Sequence, residues 1–147
     1  MKIVKLTAYK LDNFRAYCKK YRKSVDDSYL YDEDLAEFQV DKENPTFIIL
    51  NELDEIVGAA SLMIDEYHRR RRKGRFRILH SQFPELYPKL LHAILGDVED
   101  IDYVNVYVPV KNEKTRKIIE ELNFVVERYS FLLIRDNLEV PSLKLPL

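Results

Sequence analysis

The 147-residue sequence is poor in cysteine, glycine and tryptophan, with one, three and none, respectively. A lone cysteine, Cys18, cannot form a disulfide framework, so the sequence is not that of a disulfide-stapled secreted domain, and we expect a cytoplasmic protein. No apolar run approaches the length of a membrane span. No signal peptide is visible, because residues 1–10 alternate charged and apolar side chains.

The charges nearly cancel. The chain has 24 basic and 25 acidic side chains and a net charge of −1, so nothing attracts it as a whole to nucleic acid or to a membrane surface. No group of cysteines and histidines has the spacing of metal ligands, so we predict no metal site. The length predicts one domain, which we place at residues 1–136.

Hydrophobic spacing predicts an alternation of strands and helices. Leu11, Phe14, Cys18 and Tyr21 recur at helical intervals, which puts Cys18 on the apolar side and favours a core role over a reactive thiol. The predicted elements of the first half are a strand at Lys2–Ala8, helices at Leu11–Lys23 and from Tyr31 to Val40, and strands at Thr46–Leu50 and Glu55–Asp65.

The segment Glu66–Gly74 is strongly basic. It contains His68, the run Arg69 to Arg72 and Lys73, and we predict a hairpin tip with Gly74 as its turn residue. Two interpretations stay open: a patch that binds an acidic partner, a phosphate or nucleic acid, and a solvated hairpin. The lack of interleaved aromatic residues favours the solvated hairpin and makes nucleic acid an unexpected partner.

The second half predicts strand Arg75–Ser81, loop Gln82–Leu86, helix Tyr87–Val98 and strand Tyr103–Val108. Pro88 suits the first turn of that helix, and Gly96 can terminate it. Asn112 stands where a helix N-cap belongs, and Asn123 can take the left-handed conformation that closes that helix. From Val125 to Ile134 the apolar residues run almost unbroken, which indicates a buried strand.

Two stretches resemble the GNAT superfamily of N-acetyltransferases: Val106 to Phe124, with its asparagine-capped helix and its Leu-Asn-Phe ending, and the strand pair formed by Phe47–Leu50 and Glu55–Leu62. The resemblance implies an α/β fold with a mixed, mostly antiparallel sheet of six to seven strands and helices on both faces. It also implies acetyl-CoA as donor, an amine of a small molecule or peptide as acceptor, and a cleft between Arg75–Ser81 and Tyr103–Val108.

The sequence departs from the family at the coenzyme loop. Members carry Gln/Arg-x-x-Gly-x-Gly/Ala before their third helix, where backbone N–H groups hold a pyrophosphate. Here Phe83, Glu85 and Tyr87 occupy the places of small residues, and none of the three glycines falls in the loop. Many members also place a tyrosine, as general acid, at the position that is Ile119 here.

The candidate site residues follow from the resemblance. His80, at the end of its strand, is a candidate general base, although a satisfied polar residue is the favoured interpretation of a lone histidine at a strand end and water can remove the amine proton. The coenzyme would be held by residues near the cleft: Arg75, Arg77, Leu86, Tyr87, Pro88 and Asn112.

The segment 137–147 contains two prolines and four leucines and is typical of a linker to a second domain. We therefore expect this chain to be the N-terminal half of a tandem acetyltransferase; a homodimer is the alternative assembly. Two functions stay open. One is an acetyltransferase, or half of one, with a degenerate coenzyme loop. The other is a non-catalytic module that supports a partner domain or binds an acidic ligand through the basic segment 68–75.

Overall fold

A computed structural model describes residues 1–126. The segment 137–147 and most of the predicted strand from Val125 to Ile134 lie outside these residues. No helix in the described part of the chain is both long and apolar enough to span a bilayer. The elements are β1 (Lys2–Lys5), α1 (Leu11–Tyr21), α2 (Asp32–Glu37), β2 (Thr46–Leu50), β3 (Ile56–Met63), α3 (Glu66–Arg70), β4 (Lys73–Ser81), α4 (Tyr87–Leu95), β5 (Tyr103–Asn105) and α5 (Glu113–Glu121).

The strands form one mixed sheet in the order β1-β2-β3-β4-β5. The first four are antiparallel neighbours, and β5 joins β4 in parallel. The predicted mixed, mostly antiparallel sheet is thus confirmed. Five strands lie within residues 1–126, and the sixth predicted strand is the one that falls outside them.

Helices cover both faces of the sheet, as predicted. The interior strand β2 is buried at every position, because each face carries its own hydrophobic core. On one face α1 and α2 contribute Phe14, Tyr17, Cys18 and Leu35 against Ile48 and Ile78. On the other face α4 and α5 contribute Tyr87, Leu90, Ile94 and Ile119 against Ile49 and Leu79.

The predicted helix ends around the second core are confirmed. Asn112 caps α5, and its Oδ1 accepts the N–H of Thr115 at 3.2 Å. Asn123 has φ 71° just beyond that helix, in the left-handed region that asparagine tolerates. Pro88 stands in the first turn of α4, and Gly96 caps its C-terminus.

The prediction of a plain hairpin tip at Glu66–Gly74 is wrong, because Glu66–Arg70 forms the one-turn helix α3. Its N-cap is Asp65, whose Oδ1 accepts the backbone N–H of His68 at 2.9 Å and lies 2.6 Å from His68 Nδ1. An exposed ion pair between Glu66 and Arg70 supports the turn. The capping carboxylate satisfies orphan N–H groups that a hairpin would not have.

Gly74 is not the turn residue. Arg72, with φ 55°, takes the left-handed conformation that ends α3, and Gly74 lies inside β4 opposite Val104 of β5. A Cβ at Gly74 would come within 2.9 Å of Leu62, which is fully buried. The glycine is needed for close packing between the strand and this leucine.

We predict that Gly74→Ala lowers the free energy of unfolding by about 1–2 kcal/mol, because the overpacking cost outweighs the gain in backbone entropy that alanine brings. Urea unfolding measures the difference. Gly96→Ala is the control: Gly96 has an ordinary helical φ of −70°, and its variant should stay within about 0.5 kcal/mol of the parent. Equal stability of Gly74→Ala and the parent would contradict this packing.

Candidate functional site

The site is a cleft that forms where β4 and β5 separate. The two strands share three register pairs, from Lys73 with Tyr103 to Arg75 with Asn105. Past Arg75, no described strand pairs with β4 on that side. The predicted strand to Val108 is therefore too long: the carbonyl of Tyr107 instead accepts the backbone N–H of Asp26 at 3.2 Å.

A bulge in β4 lies at the point of separation. Ser61 of β3 pairs with Ile78, whereas Leu62 pairs with Phe76, so Arg77 has no partner on β3. An extra residue of this kind bends its strand and increases the local twist. The bend turns the end of β4 away from β5, so that within residues 1–126 the cleft side of residues 76–81 is an open strand edge.

Arg75 closes the narrow end of the cleft. Its guanidinium lies 4.0 Å from the Tyr107 ring centroid and 4.6 Å from that of Tyr29. It also pairs with Asp26 at 2.6 Å, and its side chain is 15% exposed. This predicted coenzyme residue thus ties the α1–α2 loop to the cleft, and its charge is already met by a carboxylate.

Arg77 points toward α2, where it lines a surface groove of about 270 Å³. Its Nε donates to Ser61 Oγ at 3.2 Å, its guanidinium lies 4.8 Å from the Phe38 ring, and burial lowers its pKa. The groove is rich in carboxylates. Its other lining residues are Tyr29, Asp34, Glu37, Phe38, Gln39, Asp41 and Met63.

His80 is held between two tyrosines of α1. Its Nδ1 lies 2.7 Å from the Tyr17 hydroxyl, and its ring stacks on Tyr21 at 4.6 Å. Burial lowers the pKa of His80 to about 4 and raises that of Tyr17 well above its usual value. The pair is therefore neutral at pH 7. A base with a pKa so far below the working pH removes protons inefficiently.

The segment 82–89 joins β4 to α4 at the wide end of the cleft and contains Leu86, Tyr87 and Pro88, which the sequence proposes for the coenzyme. Pro84 and Pro88 have no N–H to offer. Four other N–H groups are already bonded: Gln82 donates to the Val57 carbonyl, Phe83 to Ser81 Oγ, Leu86 to the Phe83 carbonyl and Tyr87 to the Pro84 carbonyl.

The contacts of Asn112 and Ile119 give both residues structural roles. The Asn112 amide uses its oxygen as a helix cap and donates through Nδ2 to the carbonyl of Ser24 at 2.7 Å, which ties α5 to the α1–α2 loop. Ile119, at the position of the family's tyrosine, is 5% exposed and packs in the second core. Neither side chain offers a free polar group to a ligand.

The basic segment has an aromatic partner that the sequence analysis missed. The Arg71 guanidinium lies 3.8 Å from the ring centroid of Tyr67, and Lys73 lies 5.4 Å from it. Arg70 and Arg72 form exposed ion pairs with Glu66 and Asp102. The one-turn helix brings Tyr67 and Arg71, four residues apart, onto one face.

No family model and no curated protein matches this sequence. Solved structures do match. The ribosomal-protein-alanine N-acetyltransferase from Brucella melitensis biovar Abortus 2308 is 13% identical, with a TM-score of 0.66 over 92% of this chain and 100% of that one. The chain has the GNAT fold. AAC(6')-Iy, solved with the bisubstrate analogue CoA-S-monomethyl-acetylneamine, is 17% identical, with a TM-score of 0.65 over 91% of this chain and 97% of that one.

The GNAT fold implies coenzyme A, and the two parts of that molecule fit this cleft differently. The open edge of β4 suits the amide-containing pantetheine arm, which can pair with a strand edge as an added strand would. The pyrophosphate does not fit the segment 82–89, where two prolines and four bonded N–H groups leave at most two donors. One of these donors belongs to Glu85, whose carboxylate repels an anion.

We predict that the His80 imidazole stays neutral down to about pH 4. Its unfolded pKa is 6.5, so as pH falls below that value the unfolded chain takes up the proton first. Between pH 6.5 and 4 this site lowers the free energy of unfolding by about 1.4 kcal/mol per pH unit.

An NMR titration of the imidazole C–H signals checks this. His80→Gln should remove the signal whose midpoint lies near pH 4, whereas His92→Gln, at an exposed position of α4, should remove a different signal. A midpoint near pH 6.5 for His80 would show that the ring is hydrated and contradict its burial between Tyr17 and Tyr21.

Proposed function

We propose that this protein is an N-acyltransferase that moves an acetyl group from a pantetheine thioester such as acetyl-CoA to a primary amine. The observation that carries the proposal is the open edge of β4 beyond Arg75, beside which β5 turns away. Backbone groups on such an edge can hold the arm of the donor and polarise the thioester carbonyl. The lone, buried cysteine is consistent with action in the cytoplasm.

The acceptor amine would enter through the groove beside α2. Arg77 lines this groove and is also the bulged residue of β4, so the groove reaches the strand where the cleft opens. Its carboxylates, Asp34, Glu37 and Asp41, attract an ammonium group. Hydrogen bonds from Glu43 and Asn44 lower the pKa of Asp41, which keeps this carboxyl ionised. Water, rather than the weakly basic His80, would take the amine proton.

A non-catalytic module is the second candidate, because the N–H groups of segment 82–89 that would hold a pyrophosphate are largely in use. In that case the basic segment 68–75, where Arg71 and Lys73 flank the Tyr67 ring, would bind an acidic ligand. That this chain works with a second domain, or as a homodimer, is also a proposal.

The proposed acyl transfer is tested by measuring thiol release from acetyl-CoA in the presence of a panel of primary amines and diamines. We predict that Glu37→Gln raises the KM for the amine about two- to fivefold, since one screened charge at an exposed site is worth up to about 1 kcal/mol. The KM for the donor should not change.

Glu33→Gln is the matched control, because Glu33 lies one turn earlier on α2 and outside the groove. It should leave both constants unchanged. An equal effect of the two substitutions would rule out the groove as the amine site. Absence of any transfer across the panel, with a folded protein, would favour the non-catalytic module.

A further inference from the structure

The segment 82–89 has almost no capacity to hold an anion, although it lies at the wide end of the cleft. The first turn of a helix binds phosphate through N–H groups that have no partner within the helix. Here a 3-10 turn at Pro84–Leu86 precedes α4. Of the eight residues in the segment, two are prolines without an N–H group and four have N–H groups that are already bonded, so at most two donors remain.

The Tyr87 side chain closes the open edge of β4 at the same point. Gln82 donates its N–H to Val57 of β3, so the N–H of the preceding residue, Ser81, points the other way, toward the cleft. There it meets the Tyr87 hydroxyl; burial raises the pKa of Tyr87, and this hydrogen bond offsets only part of the rise. Tyr87 is 2% exposed and belongs to the core on the α4 side, so its ring is buried where β4 ends.

The part of the β4 edge that stays open is short, and apolar side chains flank it. It extends from Phe76 to His80, which is roughly 16 Å of extended chain. Phe76 and Leu79 are buried in the core on the α4 side, and Val106 and Val108 beyond β5 pack against that core. Such an edge suits an extended arm that carries amides but no charge.

We propose that the donor is recognised through its acyl-pantetheine arm alone and that the adenosine and phosphate groups of coenzyme A add little to binding. This inference rests on the proposed acyl transfer. In that reaction the amine nitrogen bonds to the acyl carbon, the carbon–sulfur bond breaks, and the amine loses a proton while the thiol gains one. None of these changes involves the nucleotide.

Three donors with the unmodified protein test the inference: acetyl-CoA, acetyl-pantetheine, and an acyl carrier protein whose pantetheine arm is acetylated. We expect acetyl-pantetheine to reach a kcat/KM within about threefold of that for acetyl-CoA, because the nucleotide that acetyl-pantetheine lacks contributes little binding energy. Comparison of the carrier protein with the two small thioesters shows whether the donor is a free thioester or a protein-bound one. Transfer from either kind of donor agrees with recognition of the arm.

Binding is measured separately by titration calorimetry with pantetheine and with coenzyme A, and the two dissociation constants should agree within about threefold. Adenosine 3′,5′-bisphosphate should not compete. A kcat/KM for acetyl-CoA more than about thirtyfold above that for acetyl-pantetheine, or competition by the bisphosphate, would overturn the inference and leave acyl transfer intact.

The two ideas can therefore fail independently. Equal binding of pantetheine and coenzyme A without any transfer would retain the recognition of the arm and reject the catalytic function. No binding of either compound would reject both. Glu85→Ala serves as the matched variant: it removes the carboxylate beside the loop, and the ratio of the two donors should stay the same if no phosphate group is held there.

Discussion

The bulge at Arg77 is the feature on which the rest of the site depends. One residue without a partner on β3 turns β4 away from β5. It also places Arg77 where the guanidinium meets Ser61 Oγ and the Phe38 ring. Ser61 is in turn bonded to Thr46 Oγ1 at 2.8 Å. A partly buried cation is costly unless it is hydrogen-bonded, so this network lets the bulge persist.

The α1–α2 loop is held over the narrow end of the cleft by contacts of unequal strength. The Arg75–Asp26 pair is mostly shielded from water, with side-chain exposures of 15% and 30%, and the arginine also stacks on Tyr29 and Tyr107. By contrast, Lys19 and Asp32 are each 64% exposed and 3.9 Å apart, a geometry that contributes about 0–1 kcal/mol. Arg75 and the Asn112–Ser24 hydrogen bond tie this loop to β4 and α5.

Local features of the sequence were sufficient where local chemistry decides the structure. The asparagine cap at Asn112, the left-handed Asn123 and the proline of the first turn of α4 all follow from one residue and its immediate neighbours. The helix α3 also had a local signal that was missed: Asp65 precedes it as a cap, and Glu66 and Arg70 stand four residues apart.

The features that sequence could not predict join distant residues. Tyr17 and His80 are 63 residues apart, and Asp26 and Arg75 are 49 apart. No periodicity encodes such pairs, so the burial of His80 and the anchoring of Arg75 emerge only from the folded chain. The same reason explains the short β5, because the backbone of Asp26 takes the carbonyl of Tyr107 that a longer strand would have used.

The most direct test of the central claim is a map of backbone amide shifts in the NMR spectrum as pantetheine is added to the protein. If the open edge of β4 receives the arm of the donor, the largest changes should fall at residues 77–80 and 106–108. Changes confined to residues 66–73, or no change at millimolar pantetheine, would contradict the assignment of this cleft as the donor site.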